Sequence, residues 1–166
     1  MVKIYIVDEN DNPIGYKERA DIDYAKDIYR SAALWVINSK DEVLIAQRKL
    51  DRVKDPGKWG PAVAGTVEEG ETYDSNIQKE AEEEIGLIGA TITKLDKVRL
   101  YEPRHQFMQW YKTVVDQPID YFTPQTEEVE KLEWIPHGDL IVDVKENPDK
   151  YVGSMSQALE LLGDTI

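Results

Sequence analysis

Apolar and polar positions along the chain follow two periods, and the switch between them marks out the elements. Lys3 to Val7 alternates as a strand does, Glu9-Asn10-Asp11-Asn12-Pro13 supplies turn chemistry, and Ile14-Gly15-Tyr16 resumes the extended pattern, so an N-terminal β-hairpin is expected. Residues 17–28 are polar with scattered aromatics, and Ser31 to Ile37 then reads as a strand buried on both faces. Asn38-Ser39-Lys40-Asp41 turns it, and Glu42 to Arg48 has a strand's composition at hairpin distance.

A loop over 49–58 follows, then Trp59 and a short apolar run. Val67 to Tyr73 is an acidic loop, and the pattern changes to a helical one from about Asp74 or Ser75 to Ile85, with either residue available as N-cap and Gly86 as the stop. Strand-like stretches around 91–101 and 107–115, an acidic segment at 126–133, and a helix near Ser154–Leu162 complete the pattern. No repeat, low-complexity tract or linker divides the 166 residues, so one domain spanning 1–166 is expected.

Charge narrows the classes of function. With 33 acids against 20 bases the formal net charge is −13, so the mean field repels polyanions and argues against nucleic-acid or anionic-membrane binding. The absence of cysteine excludes disulfides, thiolate metal sites and cysteine nucleophiles together. The longest purely apolar run, Ala32 to Ile37, is far short of the ~20 residues of a membrane span, and the first residues lack a signal-peptide pattern, so a cytoplasmic protein is expected. Against this background residues 48–58 stand out: Arg48, Lys49, Arg52, Lys54 and Lys58 face only Asp51 and Asp55. These bases could hold substrate phosphates, or simply form a surface loop that balances nearby acids.

The stretch that carries chemistry is 65–87. On a helix turning ~100° per residue, Glu80, Glu83 and Glu84 share one face, while Ile77, Ala81 and Ile85 form an apolar stripe beside it. Residues 65–86 hold eight acids and one base, Lys79, and so carry more than half of the net charge. Carboxylates crowded in this way repel one another unless a cation sits among them, and their hard oxygens suit Mg²⁺ or Mn²⁺. A bare acidic helix would by itself be read as a solvated face.

The flanking residues change that reading. Gly65, Glu71, Glu80, Glu83, Glu84, Gly86 and Leu87 occupy seven of the nine defined places of the pattern G-x5-E-x7-R-E-U-x-E-E-x-G-U, with U a bulky aliphatic. The chain therefore resembles the Nudix hydrolase family. Lys79 stands where the family has Arg, keeping the charge without the planar fork, and Ala81 stands at the first U position. Trp59 and the strand ending Gln47-Arg48 also look like the family's approach to this motif.

The resemblance implies a Nudix α/β/α sandwich with a mixed sheet and hydrolysis of a nucleoside diphosphate derivative assisted by a divalent cation. It makes Glu80, Glu83 and Glu84 the metal ligands, with Glu80 or Glu84 also a candidate to orient or deprotonate the attacking water. Glu71 and Lys79 support them. Arg48, Arg52, Lys54 and Gly65 are candidates to touch the substrate, and Glu128 and Glu102 are candidates for a general base outside the motif. The small-molecule diphosphate is the expected partner, and homodimers are common in the family.

Within the family, the hairpin, Tyr29-Arg30-Ser31-Ala32 and PGKWGPAVAG resemble the subgroup related to isopentenyl-diphosphate isomerase. That chemistry resembles proton transfer by a cysteine and a glutamate beside a histidine-held metal. Here Ala64 stands at the cysteine position, Tyr29 at a histidine position, and the histidines number only two, His105 and His137. A hydrolase is the better fit, ahead of a binding or sensor module, because the carboxylates of the motif are all retained. Trp59, Tyr73, Tyr101, Trp110 and Tyr111 could stack a base or belong to the core.

Overall fold

A computed structural model describes residues 1–163. The strands are β1 (Lys3–Val7), β2 (Pro13–Glu18), β3 (Ile28–Ile37), β4 (Glu42–Arg48), β5 (Trp59–Pro61), β6 (Val63–Thr66), β7 (Thr93–Leu100), β8 (Gln106–Val114) and β9 (Val129–Pro136). The helices are α1 (Tyr73–Ile85), α2 (His137–Glu146) and α3 (Met155–Gly163). The expected N-terminal hairpin forms as β1 and β2, and the acidic helix forms as α1.

β3 organises the sheet because both of its faces are apolar. Successive side chains of a strand point to opposite faces. Ala33, Trp35 and Ile37 enter a layer with Met108 and Trp110 of β8 and with Leu140 and Val144 of α2 and Met155, Ala158 and Leu159 of α3. Ala32, Leu34 and Val36 enter the other layer with Ile77, Ala81 and Ile85 of α1 and with Phe122. The result is a mixed sheet between helices, as the resemblance implied. Trp35 and Trp110 stack at 5.2 Å between ring centres, and burying each large side chain of this kind contributes about 1.5–3 kcal/mol.

One edge of β3 pairs in parallel with β8 along its whole length from Tyr29 to Ile37. Its other edge is shared: β1 takes Ile28 and Tyr29, β6 takes Ser31 to Leu34, and β4 takes only Val36 and Ile37. After those two pairs β4 leaves β3 and continues between β5 and β9. The hairpin expected from the spacing of β3 and β4 is thus confined to its turn end. The sheet splits into a wedge whose walls are β3 with β6 and β4 with β5.

One local expectation is corrected. The N-cap of α1 is Thr72, not Asp74 or Ser75. Its hydroxyl accepts from the Ser75 amide at 3.0 Å while the Ser75 hydroxyl accepts from the Thr72 amide at 2.9 Å, a reciprocal capping box. Within the acidic segment 126–133, Val129 onward forms β9 against β4. No helix among the described residues is long and apolar enough to cross a membrane.

Candidate active site

The wedge between the half-sheets is a cleft of about 630 Å³. One wall is α1, which packs its Ile77, Ala81 and Ile85 stripe beneath the sheet and so turns the Glu80, Glu83 and Glu84 face into the cleft. Gly86 ends the helix with φ of 68°, a conformation that a side chain would strain, and its amide caps Ala81 and Glu82 carbonyls. Gly65 of β6 has a different reason to be glycine. A Cβ there would lie 2.5 Å from the carboxyl carbon of Glu80, so the missing side chain is the space into which Glu80 folds.

The carboxylates differ in setting. Glu84 is 9% exposed, and its Oε2 accepts from the Ala64 amide at 2.9 Å. Burial raises its pKa well above the carboxylate range against the pull of that hydrogen bond, and Glu80 and Glu128 add to the rise. Glu80 is pushed up to about 7, again chiefly by burial, with Lys79 opposing and Glu83 and Glu71 reinforcing the shift. Glu83 is exposed on the same wall.

Behind them lies a supporting network. Lys79 Nζ sits 2.5 Å from Glu71 Oε1, 3.4 Å from Glu68 Oε2 and 3.6 Å from Glu80 Oε1. Burial alone would lower its pKa, but these acids outweigh it and hold the ammonium charged. Glu71 is likewise pushed up by burial, yet Lys79, the Glu68 amide and Asn76 bring its pKa below the usual value. Asn76, fully buried, donates from Nδ2 to Glu71 Oε2 at 2.9 Å, to the Thr66 carbonyl at 3.1 Å and to Glu80 Oε1 at 3.4 Å. Asn76 was not singled out from the sequence. Its polar side chain in the apolar-facing half of α1, one residue before Ile77, is the signal that was available.

No three of the acids and histidines among the described residues converge as a ready-made metal cage. The donor set nevertheless fits a hard divalent cation. Glu80, Glu83 and Glu84 offer oxygens alone, and two of them are carboxylates whose burial makes ionisation costly without a nearby positive charge.

The opposite wall is cationic. Arg48, Arg52 and Lys54 line the cleft, whereas Lys49 and Lys58 of the same loop lie outside it and pair with Glu130 at 3.2 Å and Asp55 at 3.9 Å. Glu128, at the entry to β9, also lines the cleft, with Arg52 Nη1 3.3 Å from its Oε1. Glu102 is exposed and does not line it. Of the five aromatics considered from the sequence, Trp110 alone reaches the cleft, from the core. Tyr24 and Tyr29, which the sequence reading passed over as base platforms, line it as well, as does Arg104. Ala64 faces the cleft where a thiol would be needed for isomerase chemistry, and neither His105 nor His137 lines it.

Comparison with known proteins bears on the family and the fold. A NUDIX domain model matches residues 28–156. An uncharacterized Nudix hydrolase from Pseudomonas aeruginosa is 29% identical over 161 residues, covering 95% of this chain and 91% of that protein. A prenyl-diphosphate phosphatase from Methanosarcina mazei is 25% identical, over 92% of this chain and 90% of its own. A crystal structure of a Deinococcus radiodurans protein superposes with a TM-score of 0.84 at 20% identity, covering 95% of this chain and 97% of that one.

Proposed function

The chain belongs to the Nudix family of pyrophosphohydrolases, and from that premise we propose that it splits the diphosphate bond of a nucleoside diphosphate or nucleoside diphosphate derivative. Mg²⁺ or Mn²⁺ would be held by Glu80, Glu83 and Glu84. The observation that carries this reading is the pairing of walls: the half-buried Glu80 and the buried Glu84 on one side of the cleft, Arg48, Arg52 and Lys54 on the other. When bound, the cation supplies charge neutralisation for the diphosphate and a lowered pKa for a coordinated water.

The chain's own residues do the rest. Arg48, Arg52 and Lys54 draw the substrate's phosphates into an otherwise acidic molecule. Lys79, held by Glu71, keeps the Glu80 carboxylate in place. Asp55, Glu68 and Glu128 are the acids outside α1 that line the cleft; Asp55 is held by Lys58 and Glu68 by Arg19 and Lys79, and Glu128 takes the role of general base, accepting the water's proton as the water oxygen bonds to phosphorus and the bridging P–O bond breaks. Arg52 restrains Glu128 until substrate phosphate competes for the guanidinium.

The test is product release from a panel of nucleoside di- and triphosphates, nucleotide sugars, dinucleoside polyphosphates and isoprenoid diphosphates with Mg²⁺, Mn²⁺ or chelator. Cation-dependent cleavage of a nucleoside compound is the expected result. Cleavage of isoprenoid diphosphates alone would move the substrate class to the one named by the Methanosarcina relative, and tight binding without cleavage would replace the hydrolase by a sensor. A double-bond shift in isopentenyl diphosphate would overturn the reading altogether.

A further inference from the structure

Arg48, Lys54 and Arg104 set one end of the cleft apart. In a chain of net charge −13, half of the six cations that line this cleft have an acid beside them: Arg52 has Glu128, Lys79 has Glu71, and Arg19 has Glu68 at 3.8 Å. Among the described residues, no carboxylate comes within ion-pair distance of Arg48, Lys54 or Arg104. Arg48 is shared between the two ends, since it acts electrostatically on Glu84 and on Lys54. Lys54 and Arg104 instead act on each other.

Their place along the sheet separates them from the carboxylates. Glu84 is tied to Ala64, which pairs with Ala33 of β3. Arg104 lies at the start of β8, where Gln106 pairs with Tyr29. Four residues of strand, roughly 13 Å at ~3.3 Å per residue, lie between the two levels. Arg104 is held there by the N-terminal segment, outside the residues that match the family model: its guanidinium lies 3.7 Å from the centre of the Tyr24 ring, and Tyr24 meets Tyr29 edge-to-face at 5.7 Å. A guanidinium pinned on an aromatic face keeps its donors in a fixed plane. Lys54 is lowered to about 8 by the protein crowded around it, then by Arg104, with Asp55 opposing and Arg48 reinforcing the shift, although its side chain stays at the cleft rim. Two cations crowded together, with Asp55 offsetting only part of their charge, destabilise each other and are relieved by a bound anion.

We infer that Lys54 and Arg104, backed by Tyr24, form a second anion subsite that takes a phosphate or carboxylate of the substrate lying beyond the diphosphate engaged at Glu80, Glu83 and Glu84. The preferred substrate is then a diphosphate whose far end carries a further negative group. This rests on the hydrolase reading for the word substrate, but not for the subsite itself.

Calorimetric titration of tripolyphosphate into metal-stripped full-length protein tests the subsite without turnover. The expected result is binding that weakens about tenfold or more in Lys54→Met and in Arg104→Gln, the range for a charge-assisted hydrogen bond, and is unchanged in Lys145→Met on α2. Melting curves check that each variant is folded, and the exposed Lys54 supplies the test if Arg104→Gln is not. No binding by the parent protein, equal binding by all four proteins, or an equal loss in Lys145→Met would overturn the subsite. Displacement by inorganic phosphate or by succinate tells a phosphate group from a carboxylate. With Mg²⁺ present, Arg104→Gln should raise KM about tenfold for a nucleoside triphosphate and leave kcat and the KM of the matching diphosphate unchanged; a kcat loss on both would overturn the specificity role. If tripolyphosphate binds as expected but no compound is cleaved, the hydrolase reading fails and the subsite stands.

Discussion

Among single residues, Gly65 separates stability from chemistry most cleanly. A methyl group there would meet the end of the Glu80 side chain, which can swing aside at little cost to the fold. Gly65→Ala should therefore keep a melting temperature close to the parent's while turnover falls by on the order of 100-fold, the scale expected for misplacing a reacting group by about an ångström. Equal turnover would remove Glu80 from the site. Glu83→Gln and Glu84→Gln should do more: losing a partner behind a metal ligand costs roughly 10–100-fold, so losing a ligand itself should exceed about 100-fold, with circular dichroism unchanged. Lys79→Arg should preserve or raise activity, because a guanidinium can reach Glu71, Glu68 and Glu80 in the same place. A collapse of activity would mean that the network needs the ammonium's compact shape. The acids of this site were legible in the sequence because helical periodicity puts i, i+3 and i+4 on one face. Asn76 left only the faint signal of a polar side chain beside the apolar stripe of α1, and Arg104 left none, since its aromatic partner Tyr24 lies far away in sequence.

At the scale of elements, one side chain in the turn of the N-terminal hairpin gathers contacts from three elements of the domain. Asp11, in the β1–β2 turn with φ of 62°, receives Arg30 of β3 at 2.7 Å, Tyr73 of α1 at 3.0 Å and Lys97 of β7. Its carboxylate is 8% exposed. Burial raises its pKa, but the hydrogen bonds from Lys97, Arg30 and Tyr73 outweigh burial and hold it below the usual value. A carboxylate depressed on folding adds stability that is fully present above its unfolded pKa of about 3.9 and is lost as the pH falls through the folded value. Asp11→Asn should thus flatten the acid limb of the stability curve below about pH 4, while Asp11→Ala should cost about 2 kcal/mol at neutral pH, less than a fully buried pair because Lys97 stays partly in water. Chemical denaturation between pH 2.5 and 7 measures both, and an unaltered acid limb in Asp11→Asn would exclude this linkage. The sequence showed Asp11 only as a turn former. The hairpin, the two-faced β3 and α1 were readable from periodicity, but the parting of β3 from β4 was not, because it depends on β6 and β5 competing for their edges.

For the whole molecule, the distribution of charge decides how folding and binding are linked. More than half of the net charge lies in residues 65–86, and the acids there divide into two groups. Glu68 and Glu71 are paired with Lys79, which also reaches Glu80 at 3.6 Å, while among the described residues neither Glu83 nor Glu84 has a cation at ion-pair distance. Folding therefore brings like charges together at the one place where the cleft is deepest in carboxylates, a cost the unfolded chain does not bear. A divalent cation that binds only the folded form offsets that cost and adds RT ln(1 + [M]/Kd), about 2.7 kcal/mol at 100 times Kd. Melting in Mg²⁺ should accordingly occur at higher temperature than in chelator, and the gap should close in Glu83→Gln combined with Glu84→Gln. That double variant should also melt higher than the parent in chelator, because it removes repulsion without removing any hydrophobic contact of α1. A double variant that melts lower than the parent in chelator would mean that these carboxylates stabilise the fold, and the division of the acids into a supporting pair and a cation-binding set would fall.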